Sequence, residues 1–253
     1  MKRVAFFAHF DAQDQIKPYV EALLRGLGET CQRILFISTA QLPEAELAKI
    51  RALVEQTLLK ENVGLDFAMW QHAFERCDLS DCDELVLANS SVVGPVFPLA
   101  PIFQQMSQDP CDFWGMTDNT EFAWHLQSYF LVFKRRVLDS ADFGAFWRGI
   151  DPKQTKQQII ENYEIGITKY LSDRGFAGRA FAATESWARP VKRWWMRRMK
   201  HTNATLWYPL ELLNAGMPFV KVALLKDKSR RNVVLPVLEA ARLAGCEIDP
   251  AQL

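Results

Sequence analysis

The sequence lacks the cysteine and histidine patterns that hold metal ions or build disulfide frameworks. Its five cysteines include no CxxC pair, and its four histidines include no HxxxH spacing. The sequence therefore predicts neither a zinc site nor a set of disulfides. An odd number of scattered cysteines is typical of reduced thiols in a cytosolic protein. A chain of 253 residues also buries enough apolar surface to fold without such cross-links.

Two common nucleotide-binding motifs and any long apolar run are also missing. No GxGxxG follows the first apolar segment and no GxxxxGK[ST] occurs, which argues against a Rossmann dinucleotide site and a P-loop. The longest uncharged run, residues 85–108, contains Pro95, Pro98 and Pro101 and is too interrupted to form one spanning helix. The first apolar run, residues 4–10, is followed by polar residues without a cleavage site. This favours a buried strand over a signal peptide.

Charge is balanced over the whole chain but not along it. The chain has 30 basic and 30 acidic residues, of which residues 1–125 hold 9 basic and 18 acidic ones, and residues 126–253 hold 21 and 12. This asymmetry predicts that the second half presents a basic surface, which suits phosphate groups or anionic lipid.

Apolar patterning alternates between strand and helix along the chain. Strand-like runs occupy residues 4–10, 33–38, 84–88, 112–116 and 127–134, and helical spacing occupies residues 16–27, 43–59, 67–76 and 155–171. The alternation predicts an α/β protein with a mostly parallel sheet and helices on both faces. Ligands of such sheets bind beyond the carboxyl ends of the strands. The residues at these ends, expected along one edge, are His9, Phe10, Asp11, Ser38, Thr39, Asn89, Ser90, Ser91, Thr117 and Asp118.

Several ordered blocks of sequence resemble one protein family. Residues 62–67 (NVGLDF) are similar to an NxGxD turn, and residues 83–95 (DELVLANSSVVGP) are similar to a YDxxLFxNDSxxGP block. The other blocks are residues 113–118 (FWGMTD), 125–134 (HLQSYFLVFK), 163–166 (YEIG), 203–207 (NATLW) and 216–221 (GMPFVK). Together, over roughly residues 3–228, they resemble the rhamnan synthesis F family of polysaccharide-building glycosyltransferases.

The resemblance implies a GT-A-type fold and a nucleoside-diphosphate sugar as donor. It also implies growth of a cell-surface polysaccharide or lipopolysaccharide, on a glycan or lipid-linked acceptor, at the cytoplasmic side of the membrane. We expect a single domain over residues 1–253, with an α/β nucleotide-sugar-binding core at residues 1–182 and a basic, mainly helical extension at residues 183–253. The expected donor-binding residues are His9, Phe10, Asp11, Asn62, Gly64, Asp66, Asn89, Ser90, Ser91, His125 and Gln127.

Two carboxylates are candidates for a catalytic base. Glu164 lies beside an apolar helical stripe, and the resemblance aligns it with an acidic base. In inverting sugar transfer such a base removes the proton of the attacking acceptor hydroxyl. Asp118 is the second candidate, with a helix or turn cap as the alternative interpretation. The donor-binding candidates also have structural interpretations. Asp66 is alternatively an N-terminal helix cap, and Asn62 and Gly64 alternatively form a tight turn. A structural hydrogen bond is the alternative role of His9, His125 and Gln127.

The strand-end triplet Asn89-Ser90-Ser91 departs from the resembled pattern. Metal-dependent GT-A enzymes carry Asp-x-Asp there, and the family pattern has aspartate at the position of Ser90, whereas this chain has no carboxylate in the triplet. Divalent cations prefer carboxylate oxygens, so we predict no metal ligands and a weak dependence on a divalent cation. The DxD at residues 81–83 precedes its strand and is expected in a solvated turn. A metal-dependent retaining transferase and a non-catalytic glycan- or nucleotide-binding scaffold remain the alternatives.

A basic segment, residues 189–200 (RPVKRWWMRRMK), has six basic and no acidic residues. As a helix it suits the headgroup layer of an anionic membrane, which predicts peripheral association with the inner face of the cell membrane. The alternative is a solvated charged face with Trp194 and Trp195 packed inward. No nucleic-acid motif accompanies the segment, so no nucleic-acid partner is predicted. Trp70, Trp114 and Trp124 are candidates for stacking on a sugar or base, with core packing as the alternative.

Overall fold

The computed structural model describes all 253 residues and contains eleven strands. They are β1 (Arg3–His9), β2 (Arg33–Ser38), β3 (Gln56–Leu59), β4 (Glu84–Asn89), β5 (Val92–Val93), β6 (Phe113–Gly115), β7 (Asp118–Asn119), β8 (His125–Leu126), β9 (Phe130–Lys134), β10 (Gly178–Ala180) and β11 (Val220–Lys221).

Fourteen α-helices surround these strands. They are α1 (Pro18–Gly28), α2 (Glu44–Ile50), α3 (Leu65–Phe74), α4 (Leu99–Gln108), α5 (Arg135–Leu138), α6 (Ala141–Arg148), α7 (Lys156–Ile159), α8 (Gly166–Ser172), α9 (Thr184–Trp187), α10 (Pro190–Arg198), α11 (Ala204–Trp207), α12 (Pro209–Asn214), α13 (Val222–Lys226) and α14 (Arg231–Leu243). A π-helical turn, Ile160–Ile165, joins α7 to α8, and short 3-10 turns cover Lys228–Arg230 and Pro250–Gln252.

Seven strands form the central sheet, in the order β10-β6-β9-β4-β1-β2-β3. Strand β9 is antiparallel to β4 and β6, and the other pairings within the sheet are parallel. The carboxyl ends of six strands therefore meet at one edge, together with the start of β9. This arrangement confirms the predicted mostly parallel α/β sheet.

Alternate residues of the central strands supply two core layers. In β1, Ala5 and Phe7 belong to a buried cluster of 33 residues on one face, while Phe6 and Ala8 belong to a cluster of 26 residues on the other. Successive side chains of a strand point to opposite faces. A strand covered on both sides must therefore be apolar throughout, which accounts for its continuous apolar run.

Three element predictions differ from the structure. The helix predicted over residues 43–59 is wrong in its second half, because residues 56–59 pair with β2 as the edge strand β3, and that long-range pairing outweighs the local helical spacing. The strand predicted over residues 127–134 begins only at Phe130. The helix predicted over residues 155–171 is interrupted by the π-helical turn, for which the spacing carries no signal.

The C-terminal part of the chain packs onto the sheet and its cross-connections. Strand β11 pairs antiparallel with β5, and Met196, Leu212 and Phe219 belong to the 33-residue cluster. Helix α14 packs over a further cluster of nine buried residues. These contacts support our proposal that residues 1–253 form one domain. No helix combines the length and the apolar character needed to cross a bilayer.

Candidate active site

A cleft of about 920 Å³ lies at the carboxyl edge of the sheet, beyond β1 and β4. These two strands are neighbours and parallel, so the loops that follow them meet there. Six of the residues predicted for the site line the cleft: Phe10, Asp11, Ser90, Ser91, Gln127 and Glu164. Four lysines line it as well: Lys17, Lys156, Lys221 and Lys226. The cleft is therefore rich in ammonium groups suited to phosphate oxygens.

A chain of hydrogen bonds runs from Asp66, below the cleft, to Lys221 in its wall. The Asn89 side-chain amide donates to Asp66 Oδ2 at 2.7 Å. Asn89 Oδ1 accepts from Ser91 Oγ at 2.6 Å and from the Ser91 backbone N–H at 3.1 Å. Ser91 Oγ in turn accepts from Lys221 Nζ at 3.3 Å. Asp66 does not cap its helix, since α3 begins after Gly64 without a side-chain cap. It orients Asn89 instead.

Lys221 is an ammonium group with little solvation. Its Nζ lies 4.2 Å from the centroid of the Tyr129 ring. Burial lowers the pKa of Lys221 from 10.5 to about 8, although Glu164 and Asp66 oppose the shift. Burial likewise raises the pKa of Asp66 from 3.8 to about 6, while the hydrogen bond from Asn89 and the charge of Lys221 act in the other direction. A poorly solvated ammonium held in this way gains from an anionic ligand.

Glu164 enters the cleft from the π-helical turn. Its Oε1 accepts a long hydrogen bond of 3.4 Å from the backbone N–H of Ser128, in the segment that leads into β9. A π turn rotates the residues that follow it relative to a regular helix, and such turns occur often at functional sites. The neighbouring Tyr163 points into the core instead and is buried. Glu164 is thus the one carboxylate that the turn contributes to the cleft.

Three predicted site residues are engaged elsewhere in the protein. His9 is buried and bonds Ser38 Oγ through Nδ1 at 2.9 Å, and burial lowers its pKa to about 4. His125 is buried with Nδ1 bonded to the carbonyl of Ala123 at 2.9 Å. Asp118 accepts from the backbone N–H of Thr184 at 2.8 Å, at the start of α9. This last arrangement corresponds to the capping alternative.

Asn62 and Gly64 lie in the turn before α3 and do not line the cleft. Asn62 is exposed. Gly64 has a left-handed backbone with φ of 84°, and a Cβ there would lie 2.4 Å from Ala68 Cβ and 2.7 Å from Pro152 Cβ. Glycine is required at this position for both reasons, so the turn interpretation accounts for Gly64 fully.

The tryptophans proposed to stack on a sugar or base differ in their exposure. Trp70 and Trp114 are fully buried and serve as core, whereas Trp124 is 42% exposed. In the basic segment, Trp194 and Trp195 are 59% and 53% exposed. The alternative in which these two tryptophans pack inward is therefore wrong.

The strand-end triplet offers a poor set of ligands for a divalent cation. Asn89 Oδ1 already accepts two hydrogen bonds from Ser91, and the ammonium of Lys221 stands next to that serine. No three His, Cys, Asp or Glu side chains form a group that could hold a metal ion. The donor atoms at the triplet therefore do not fit a divalent cation.

The four lysines and Asn203 of the cleft were not predicted from the sequence. Lys221 and Asn203 lie in the blocks 216–221 and 203–207 that carry the family resemblance. Their place in those blocks is the sequence feature that could have identified them as site residues. Asn203 Oδ1 accepts from Gln127 Nε2 at 3.3 Å, and Gln127 Oε1 accepts from Thr117 Oγ1 at 2.8 Å. Lys17, Lys156 and Lys226 carried no local signal, because a lysine on a helix or loop is normally a solvated surface residue.

The sheet and its polar edge define a protein with a glycosyltransferase-like α/β fold. The glycosyltransferase GlyE of Streptococcus pneumoniae TIGR4 has a similar fold, with a TM-score of 0.50 and 14% sequence identity over 99% of this chain and 61% of GlyE. Residues 34–244 match the sequence profile of rhamnan synthesis protein F. The chain belongs to this family.

Two curated relatives are similar over part of their length. Virulence protein VirA of Vibrio anguillarum is 25% identical over 191 residues, which cover 66% of this chain and 61% of that protein. The uncharacterized protein y4gN of Sinorhizobium fredii is 24% identical over 184 residues, which cover 70% of this chain and 47% of that protein. The aligned part of this chain thus spans about half to three fifths of the length of these relatives.

Proposed function

We propose that the chain is a nucleotide-sugar glycosyltransferase that transfers a hexose or deoxyhexose, such as rhamnose, to a growing cell-surface polysaccharide or a lipid-linked acceptor. The observation that carries the proposal is the lysine-lined cleft at the carboxyl edge of the sheet, with Glu164 in its wall. Family membership supports the reaction class.

The donor diphosphate binds against the lysines of the cleft. Lys221 is held in place by Ser91 and Asn89 and is poorly solvated, so it meets the negative charge that a metal ion meets in other glycosyltransferases. Lys17, Lys156 and Lys226 add positive charge around the opening. Ser90 and Ser91 present hydroxyl groups to the same space, and the nucleoside occupies the part of the cleft next to Phe10 and Asp11.

Glu164 acts as the base in a single inverting displacement. It takes the proton of the acceptor hydroxyl as that oxygen forms a bond to the anomeric carbon of the donor sugar. The bond from the anomeric carbon to the diphosphate oxygen breaks, and its electron pair leaves with the nucleoside diphosphate. Lys221 stabilises the charge that develops on this leaving group. A positioned base of this kind contributes about 10²–10⁴-fold to the rate.

The enzyme works at the inner face of the cell membrane, where helix α10 attaches it. Val191, Trp194 and Trp195 on this helix are each more than half exposed, whereas Met196 is buried. Basic residues flank these apolar side chains along the helix. Exposed tryptophan next to arginine and lysine is typical of helices that lie in the headgroup layer of anionic membranes, which supports peripheral association.

Substitution of Glu164 tests the proposal. We expect Glu164→Gln to keep the thermal stability and the affinity for nucleoside diphosphate, and to lower turnover at least about 10²-fold, because only the proton acceptor is lost. Turnover is measured as nucleoside diphosphate released from a panel of UDP-, GDP- and dTDP-sugars. The matched control is Glu161→Gln on the same π turn, where Glu161 is exposed and bonded to Gln157.

Three other outcomes would contradict this mechanism. Full activity of Glu164→Gln would show that Glu164 is not the base. Parallel losses of stability and turnover would favour a structural role for Glu164. Donor binding by the unchanged protein without hydrolysis or transfer for any sugar would favour the non-catalytic scaffold.

A further inference from the structure

A second cleft, of about 330 Å³, lies at the same edge of the sheet beyond β6 and β10. Thr202 lines it, while the adjacent Asn203 lines the lysine cleft described above. The second cleft is thus a neighbour of the first and is built from different side chains.

Three arginines line this second cleft. Arg193 and Arg197 are one turn apart on α10 and so share a face of that helix, and Arg179 comes from β10. Their ion pairs are long or absent: Arg193 lies 3.9 Å from Glu185, Arg179 lies 4.0 Å from Asp109, and Arg197 has no carboxylate within 4.0 Å. Most of their N–H donors are therefore free for a ligand. The planar guanidinium fork matches the oxygens of a phosphate.

An oriented aromatic ring stands beside these arginines. The indole N–H of Trp124 donates to Asp118 Oδ2 at 3.1 Å, while Asp118 Oδ1 accepts from the backbone and side chain of Thr184. This network holds the ring in one orientation although the side chain is 42% exposed. A fixed and partly exposed indole face is suited to the apolar face of a sugar ring. The buried carboxylate of Asp118 thereby has a positioning role.

Helix α10 relates the second cleft to the exposed tryptophans. Arg193 and Arg197 line the cleft, while Trp194 and Trp195 are exposed outside it. Because Arg193 and Arg197 lie on the same helix as these tryptophans, a helix held in a headgroup layer would bring the second cleft close to that layer. A phosphate ester that carries a sugar would reach the cleft from that layer.

We propose that this second cleft is the acceptor site and that it recognises a phosphate or diphosphate ester attached to the acceptor sugar. Arg193, Arg197 and Arg179 bind the phosphate oxygens, and Trp124 stacks on the sugar. The identification of the bound molecule as an acceptor rests on the proposed glycosyltransferase function. The recognition of a sugar phosphate stands on the residues of the cleft.

Calorimetry with defined probes tests the assignment. The probes are an alkyl ester of glucose 1-diphosphate, the corresponding alkyl glucoside without phosphate, and inorganic pyrophosphate. We expect Arg193→Gln and Arg197→Gln each to weaken the sugar diphosphate about tenfold, as the loss of one charge-assisted hydrogen-bonding group predicts. The matched control is Arg198→Gln on the same helix, which removes the same charge outside the cleft and is expected to leave the affinity unchanged.

Trp124→Ala separates sugar recognition from phosphate recognition. It should weaken the sugar diphosphate and leave pyrophosphate unchanged. Equal effects of Arg197→Gln and Arg198→Gln would overturn the proposal, and so would pyrophosphate or vesicles of phosphatidylglycerol competing as well as the sugar diphosphate does. Nucleoside diphosphate should bind all these variants equally. A parallel loss of that affinity would assign the arginines to the donor site instead.

The two proposals fail in different ways. If no donor is hydrolysed or transferred but the arginine variants lose the sugar diphosphate selectively, the glycosyltransferase function fails and the sugar-phosphate site stands. If donors turn over and the arginine variants bind the sugar diphosphate normally, the acceptor site is wrong and the function stands.

Discussion

If the lysine cleft is the donor site as proposed, the environment of Lys221 makes donor binding depend on pH. The pKa of this lysine is lowered to about 8 by burial, which corresponds to about 3 kcal/mol against the charged form relative to a lysine in water. A diphosphate ligand restores a partner for the charge and so binds the protonated form. At pH 9 roughly one molecule in ten of the empty protein carries the proton, so we expect about a tenfold loss of nucleoside diphosphate affinity between pH 7.5 and pH 9.

This pH window isolates Lys221 from the other groups around it. The pKa of Asp66 is about 6, so its carboxylate is ionised throughout, and phosphate oxygens with a second pKa near 6 are ionised as well. Burial raises the pKa of Tyr19 to about 12, above the window. A change in nucleoside diphosphate affinity between pH 7.5 and pH 9 therefore reports the loss of the proton from Lys221.

The assay is calorimetric titration of UDP, GDP and dTDP from pH 7.5 to pH 9, with two variants. Lys221→Met should bind at least about tenfold more weakly at pH 7.5 and show no further loss on raising the pH. The control Lys226→Met, in the same cleft, should keep the pH dependence. A flat profile of the unchanged protein, or the same profile in Lys221→Met, would refute the role of Lys221.

The lowered pKa of Lys221 also makes the stability of the fold depend on pH. Because the folded-state pKa of Lys221 lies below 10.5, the unfolded chain binds more protons between about pH 8 and pH 10.5. The contribution of this group to the free energy of unfolding therefore rises with pH across that window, and the cost of the buried charge is present below it. The difference in stability between the unchanged protein and Lys221→Met measures this contribution without the other groups that titrate there.

Two further predictions concern the metal and the membrane. Donor affinity should change less than about threefold between EDTA and Mg²⁺ or Mn²⁺ in calorimetry, because the strand-end triplet has no carboxylate and four lysines line the cleft. A large loss on chelation would reveal metal ligands outside the strand-end triplet. The protein should co-sediment more with phosphatidylglycerol vesicles than with phosphatidylcholine vesicles, and the bound fraction should fall as the salt concentration rises. Each basic residue near the surface contributes roughly 1 kcal/mol to this binding. Equal binding to both kinds of vesicle, or no effect of replacing Trp194 and Trp195 by serine, would contradict a membrane role for α10.

The apolar pattern of the sequence predicts five of the seven strands of the central sheet and the edge at which the candidate site lies. The continuous apolar runs of β1, β2 and β4 mark strands buried on both faces, and the polar residues after them follow directly from those strand ends. Phe10, Asp11, Ser90 and Ser91 were placed in this way, and they line the cleft. Such inferences succeed because strand periodicity and strand ends are local properties of the chain.

Which charged groups meet at that edge depends on the tertiary structure. Lys221 is 130 residues from Ser91 in sequence, yet it bonds that serine because β11 pairs with β5. The π turn that carries Glu164 has no signature in the helical spacing, and β3 became a strand through its pairing with β2. The orientation of α10, with tryptophans outward and arginines toward a cleft, likewise depends on what packs beneath Met196. Side-chain convergence of this kind is set by long-range packing, which no local pattern encodes.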